Sequence, residues 1–231
     1  GVGASEYTWP SIPIGLKTED AYIRVSDNRY PSETTFSMPA AFRIRPKINV
    51  TSPTLSEQLV VGTLYTNKIT WQQVQGNSVS FVDVFYSIDG GTSYVATPIA
   101  SAVATGTTPV SINWTIPDAI GANVVVKVQD NAAGFANVNG VSPVFKIKGG
   151  LTLTAPTAGV NRIAATTNTI AWNYTGTIGT FKAYYSLNSG TGPWTLIDSP
   201  TSASVCTGGS CSYSWVFNGV VPVPSAVTNT A

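Results

Sequence analysis

Few side chains in this sequence can do chemistry. Eleven carboxylates, two cysteines and no histidine leave out the Ser-His-Asp triad, the Cys-His dyad and the histidine-rich zinc sites. The acids are scattered singly apart from Glu19-Asp20, and neighbours on a strand face opposite sides, so nothing marks an acid–base pair. The reading is a chain without catalytic residues and without a cofactor. Cation binding is the second chemistry open to the acids. Asp27-Asn28 and Asp130-Asn131 end equivalent segments, and Asp89 stands in Ser87-Ile88-Asp89-Gly90-Gly91. Calcium needs six to eight oxygen ligands, which these few acids do not supply. Asp27, Asp130 and Asp89 are therefore the calcium candidates of a chain otherwise read as metal-free. The plainer role for each is a turn, in which the carboxylate accepts backbone N–H bonds and glycine supplies positive φ.

Cys206 and Cys211 enclose Thr207-Gly208-Gly209-Ser210, and the flanks Ser204-Val205 and Ser212-Tyr213-Ser214-Trp215 read as paired strands. That spacing suits a disulfide across a hairpin, with a stabilisation of about 2 kcal/mol for so short a ring. Two free thiols in a reducing compartment are the other reading. Thirty Thr and 23 Ser beside 21 Gly and 15 Pro, with 10% charged residues and a net charge of +1, fit an extracellular or cell-surface β protein. They give no basic surface for nucleic acid. No apolar run reaches the length of a bilayer crossing, so no membrane insertion is expected.

The elements that would position these residues recur. Thr66-Asn67-Lys68-Ile69-Thr70-Trp71 matches Thr167-Asn168-Thr169-Ile170-Ala171-Trp172 at an offset of 101, and Tyr86-Ser87 matches Tyr185-Ser186 at 99. Ile48-Asn49-Val50 corresponds to Leu151-Thr152-Leu153. A third, partial copy stands at the N-terminus: Tyr22-Ile23-Arg24-Val25 matches Val125-Val126-Lys127-Val128, and Phe42-Arg43-Ile44 matches Phe145-Lys146-Ile147, both at 103. Residues 1–47 read as the C-terminal half of a repeat, 48–150 as one whole repeat and 151–231 as a repeat lacking its last strands. The six Trp fall on shared positions: Trp71 with Trp172, Trp9 with Trp114 and Trp215, and Trp194 with Tyr94. Recurrence argues for core packing. Trp194 and Tyr94 remain the candidates for glycan contact.

Alternating and β-branched runs at 48–51, 66–73, 79–88, 92–99, 109–116, 122–129 and 141–148 predict seven strands in the complete copy, with helix close to absent. The order Pro-turn, Ile-Thr-Trp, Tyr-Ser-x-Asp-Gly-Gly, Trp-x-Ile-Pro-Asp, Val-x-Val-x-Asp-Asn, Phe-x-Ile resembles the immunoglobulin-like or fibronectin-III-like modules found in tandem in bacterial cell-surface and secreted proteins. The resemblance implies an all-β chain of tandem Ig-like sandwiches with incomplete modules at both ends. It further implies an extracellular spacer, adhesive or assembly role.

A sandwich without its last two strands exposes apolar faces and strand edges. The N-terminal segment carries the counterparts of the missing pair, with Tyr22, Ile23, Val25, Phe42 and Ile44 as the assembly residues. Either neighbouring modules of a longer chain complete both ends, or the N-terminal strands of one copy complete the C-terminal sandwich of the next, head to tail. Residues 1–47 hold eleven of the 23 charged side chains and residues 199–231 none, which favours the second. Both ends also carry a Tyr-x-Trp strand, so Ser5–Trp9 would lie apart as an arm. The expected function is a non-enzymatic building block of a filament, sheath or other surface assembly that self-associates. The alternatives are an adhesive or carbohydrate-binding module, or an accessory domain of a larger secreted enzyme.

Overall fold

The computed structural model describes residues 6–9, 11–30, 35–162, 166–186, 188 and 190–216. In chain order its elements are β1 (Thr18–Ala21), β2 (Arg24–Ser26), β3 (Thr35–Ser37), β4 (Phe42–Ile44), β5 (Lys47–Ser52), β6 (Gln58–Val60) and β7 (Leu64–Gln75). There follow β8 (Phe81–Ser87), β9 (Ala100–Ala104), β10 (Val110–Thr115), β11 (Gly121–Asp130), β12 (Asn139–Val141) and β13 (Phe145–Lys148). The chain continues with β14 (Gly150–Ala155), β15 (Thr167–Thr175), β16 (Ala183–Tyr185), β17 (Thr195–Asp198), α1 (Ser202–Val205), β18 (Cys206–Thr207) and β19 (Ser210–Val216). The architecture is all-β, and no described helix is long and apolar enough to cross a membrane.

Two compact units are present: Gly1–Glu57 with Leu64–Trp114 and Gly121–Lys146, and Gln58–Thr63 with Thr115–Ile120 and Ile147–Ala231. In the first, a sheet of order β10-β7-β5 packs against one in which β13, β11, β8 and β9 follow in turn, with β12 also on β11. This is a fibronectin-III-like sandwich, and period-2 alternation builds its core. Ile48 and Val50 of β5, Ile69 and Trp71 of β7, Val82 and Val84 of β8, and Val124, Val126 and Val128 of β11 all point inward and are buried. Trp114 stands edge-on to Phe145 at 6.1 Å between ring centroids, linking the sheets. Buried Gln73 donates to the Val79 carbonyl and accepts from its N–H, so its amide is satisfied inside the core. A Cβ on Gly140 of β12 would lie 2.5 Å from the Ile48 carbonyl oxygen. Glycine is what lets β12 close over β5.

In the second unit, β14-β15-β19-β18 form one sheet and β16-β17 a ribbon. Trp172, Phe181 and Cys211 make a small core, flanked by partly buried Ile170, Tyr174 and Ile178.

Three local expectations are corrected. Residues 92–99 form no strand: after the left-handed glycines Gly90 and Gly91 only single bonds, Val95 N–H to the Tyr86 carbonyl and Ile99 N–H to the Val84 carbonyl, tie the segment to β8, and strand β9 begins at Ala100. Ser204-Val205 form the single helical turn α1 rather than a strand flank, held where the Ser204 hydroxyl donates to the Thr201 carbonyl. Trp9 is exposed although its counterpart Trp114 packs, because it stands in a copy that lacks the opposing strands; Trp194, a glycan-contact candidate, is exposed as well.

Candidate functional site

The Asp89 turn is closed by its own side chains. The Ser87 hydroxyl donates to Asp89 Oδ1 at 2.5 Å and accepts the Gly91 N–H at 2.9 Å, and the Ser93 hydroxyl and N–H both donate to the carboxylate. These bonds, Ser87 first and Ser93 next, hold the carboxyl far below its usual range. A depressed folded pKa adds stability that is complete above the unfolded value near 4 and is lost as the pH falls toward the folded value. Asp89→Asn is therefore expected to melt below the wild type at neutral pH, with the gap narrowing steadily as the pH falls below about 4. A gap that stays constant in calorimetry across that range contradicts it. In the C-terminal copy Asn188 donates from its side chain to the Gly192 carbonyl instead, a turn with no charge to titrate.

The other calcium candidates lie apart in local bonds. Asp27 Oδ1 accepts the Arg29 N–H. Asp130 Oδ1 accepts the Ala132 N–H, while its Oδ2 takes Lys17 Nζ at 2.5 Å, the ammonium also lying 4.4 Å from the Phe135 ring centroid. Among the described residues no three acid or cysteine side chains gather as a metal site. Cys206 and Cys211 are joined, with S–S 2.04 Å, and Cys211 stands directly across from Trp172.

The residues picked as assembly strands form a hairpin with the plan of β11, β12 and β13. β1 pairs with β4 through Thr18 opposite Ile44 and Ala21 opposite Phe42, and β2 pairs with β3 through Val25 opposite Phe36. By the offset of 103, β1 and β2 are the two halves of β11, and β4 is β13. Arg45 grips Glu19 through two charge-assisted bonds of 2.8 and 2.6 Å, and Arg43 adds a third contact at 3.0 Å. These clamp β1 to β4 and lower the Glu19 pKa, chiefly through the Arg45 hydrogen bond. Tyr22, Ile23 and Val25 are exposed, whereas Phe42 and Ile44 are half-buried. Trp9 lies edge-on to Phe42 at 6.4 Å, and Ser5 lies outside the described residues.

In the C-terminal copy the equivalent positions are open. Ile48 and Val50 are 4% and 5% exposed, but their counterparts Leu151 and Leu153 are 62% and 63% exposed. Between them and Ile170, Trp172, Ile178 and Phe181 opens an apolar cleft of about 320 Å³. β8 is flanked by β11 and β9, whereas β16 pairs with β17 alone among the named strands. Residues 217–231, the last part of the uncharged tail, lie outside the described residues.

Sequence reading missed one feature of this region, an aromatic platform. In the middle copy Lys127 Nζ lies 5.2 Å from the Phe85 ring centroid and 4.2 Å from that of Tyr94, and burial lowers its pKa. The counterparts of those rings, Tyr184 and Trp194, are 46% and 58% exposed. The alignment of Arg24 with Lys127 was the available signal.

Strand order and burial thus define an all-β chain of fibronectin-III-like sandwich architecture. No family model matches it, and no curated protein does. Among solved structures it is similar to the fibronectin(III)-like modules of Clostridium thermocellum CbhA, at 17% identity over 73% of this chain and 78% of that one, with a TM-score of 0.25.

Proposed function

We propose that the chain is a non-enzymatic structural module of an extracellular or cell-surface assembly, in which the β1–β4 hairpin of one copy completes the C-terminal sandwich of the next. The observation that carries this reading is the contrast between buried Ile48 and Val50 and exposed Leu151 and Leu153. What covers the first pair is the β11–β13 group, and the hairpin has its plan. Each such side chain contributes about 1.5–3 kcal/mol when taken from water, and strand addition supplies main-chain bonds besides. The disulfide supports an oxidising compartment. The hairpin differs from its model at one point: Phe36 stands opposite Val25 where Gly140 stands opposite Val128. Its ring keeps β3 from approaching β14 as closely as β12 approaches β5, and adds apolar area there.

The test is mass by light scattering across about three decades of concentration. A mass that climbs from that of one chain supports the reading, and 24.2 kDa throughout overturns it. A second reading, glycan adhesion, is favoured by the exposed Trp194 ring, since stacking on sugar is a common use of such a residue. Glycan pull-down that is lost on Trp194→Ala identifies it.

A further inference from the structure

We infer that Arg24 of one copy inserts between Tyr184 and Trp194 of the next and so fixes the register of the joint. This rests on the strand-complementation reading above and adds the residue that recognises the partner.

The middle copy supplies the pattern. There β11 pairs with β8 through Val126 opposite Tyr86, Lys127 opposite Phe85, Val128 opposite Val84 and Gln129 opposite Asp83. Lys127 points away from the core, its ammonium lying over Phe85 and Tyr94, while Val126 and Val128 point inward and are buried. Carrying both strands over by their repeat offsets places Arg24 opposite Tyr184, Val25 opposite Ala183 and Ser26 opposite Lys182. Ile23 and Val25 then face the apolar cleft beside Trp172 and Phe181, and Arg24 faces the exposed rings of Tyr184 and Trp194. Three features recur together: a cation on the donor strand, an aromatic directly opposite, and a second aromatic from the segment after the hairpin. In the middle copy all three are in contact; in the C-terminal copy the two rings are present and the cation belongs to the N-terminal hairpin.

The substitutions go in the direction such a contact favours. Arginine stacks on aromatic faces better than lysine and keeps its charge when desolvated, and Trp offers a stronger cation–π face than Tyr. Register matters here because a slip by one residue would turn Ile23 and Val25 to solvent and Arg24 into the apolar cleft. The charged residue is thus a specificity device as well as an attractive one. The occupant is a second copy of this chain: the segment leading into the hairpin is held on the middle copy of its own chain, where Lys17 Nζ donates to Asp130 and the Asn77 N–H donates to the Ile14 carbonyl.

The experiment uses the full chain. Ser26→Cys and Lys182→Cys are made in separate chains and mixed under mild oxidation. The expected product is a disulfide-linked dimer of the two, with far less from a mixture of Ser26→Cys and Ala183→Cys, one residue out of register. Alongside, Arg24→Ala and Trp194→Ala are each expected to weaken self-association about tenfold. The double variant should be no weaker than either single one, and Arg24→Lys should keep most of the affinity. If the unmodified chain associates but neither substitution changes its affinity, or if the out-of-register pair links as well, the Arg24 clamp is overturned and strand complementation stands. If a chain carrying both cysteines links only to itself, the second-copy occupant is overturned. A wild-type chain that never associates overturns the reading on which the clamp rests.

Discussion

A chain carrying Val25→Asp is expected to fold normally and to lose self-association by 100-fold or more. Val25 is 69% exposed in the single chain, so a charge there disturbs little: surface changes of this kind stay within about 0.5 kcal/mol. In the completed sandwich the same position corresponds to Val128, which is fully buried. The carboxylate would have to enter an apolar cleft without a partner, at a cost of several kcal/mol, and the burial of the valine is lost as well. Together these exceed the roughly 3 kcal/mol that a hundredfold change in affinity requires. Leu153→Asp blocks the other half of the joint for the same reason. A head-to-tail contact makes a sharper statement about the mixture. The Val25→Asp chain keeps a sound cleft and the Leu153→Asp chain keeps a sound hairpin, so an equimolar mixture should form one joint and stop at a dimer. Sedimentation of each variant and of the mixture tests this. Dimers from either variant alone, or no dimer from the mixture, contradict strand complementation.

How much of this was legible in the sequence depends on what kind of fact is asked for. The repeat itself was, because strands of one sheet position keep their alternation. Ile48-Asn49-Val50 and Leu151-Thr152-Leu153 read alike, as do Val126-Lys127-Val128 and Ile23-Arg24-Val25. Burial was not legible, because it belongs to the surroundings of a strand rather than to its letters: the same alternating pair is covered in β5 and open in β14. That difference, invisible in the residues, is the strongest pointer to the site. Recurrence misled for the same reason at Trp9, where an aligned position was taken for a packed one. The run at 92–99 has strand composition but follows Gly90 and Gly91, both with positive φ, and turn geometry overrode propensity. Gln58–Val60 was missed because three residues give no period to read, although Leu59 is fully buried. Lys17 could not have been paired with Asp130 across 113 positions without the fold that brings the N-terminal segment to the end of β11.

The two aligned tryptophans should respond very differently to removal, although the sequence makes them equivalent. Trp71 is completely enclosed, and its indole N–H donates to the Thr105 hydroxyl at 2.9 Å. Trp71→Ala leaves a large void in a closed sandwich and strands that hydroxyl, and the expected loss is about 3–5 kcal/mol. For a unit of this size that lowers the melting midpoint by roughly 10 °C or more. Trp71→Phe keeps most of the packing and gives up the hydrogen bond, worth about 1 kcal/mol. Trp172 packs edge-on to Phe181 at 5.2 Å, but one side of it lines the open cleft, and its indole N–H has no hydrogen-bond partner among the described residues. Removing it enlarges a space that solvent already reaches, so Trp172→Ala should cost no more than about half as much, the cavity component being the part that falls. Calorimetry of both alanine variants at a concentration where the chain is monomeric decides the matter. In the associated state the order should narrow, because a docked hairpin would close the cleft over Trp172 and give it the enclosure that Trp71 already has. A Trp172→Ala loss equal to that of Trp71→Ala in the monomer would mean that the C-terminal sandwich is already closed by its own chain, and the case for a partner strand would fall with it.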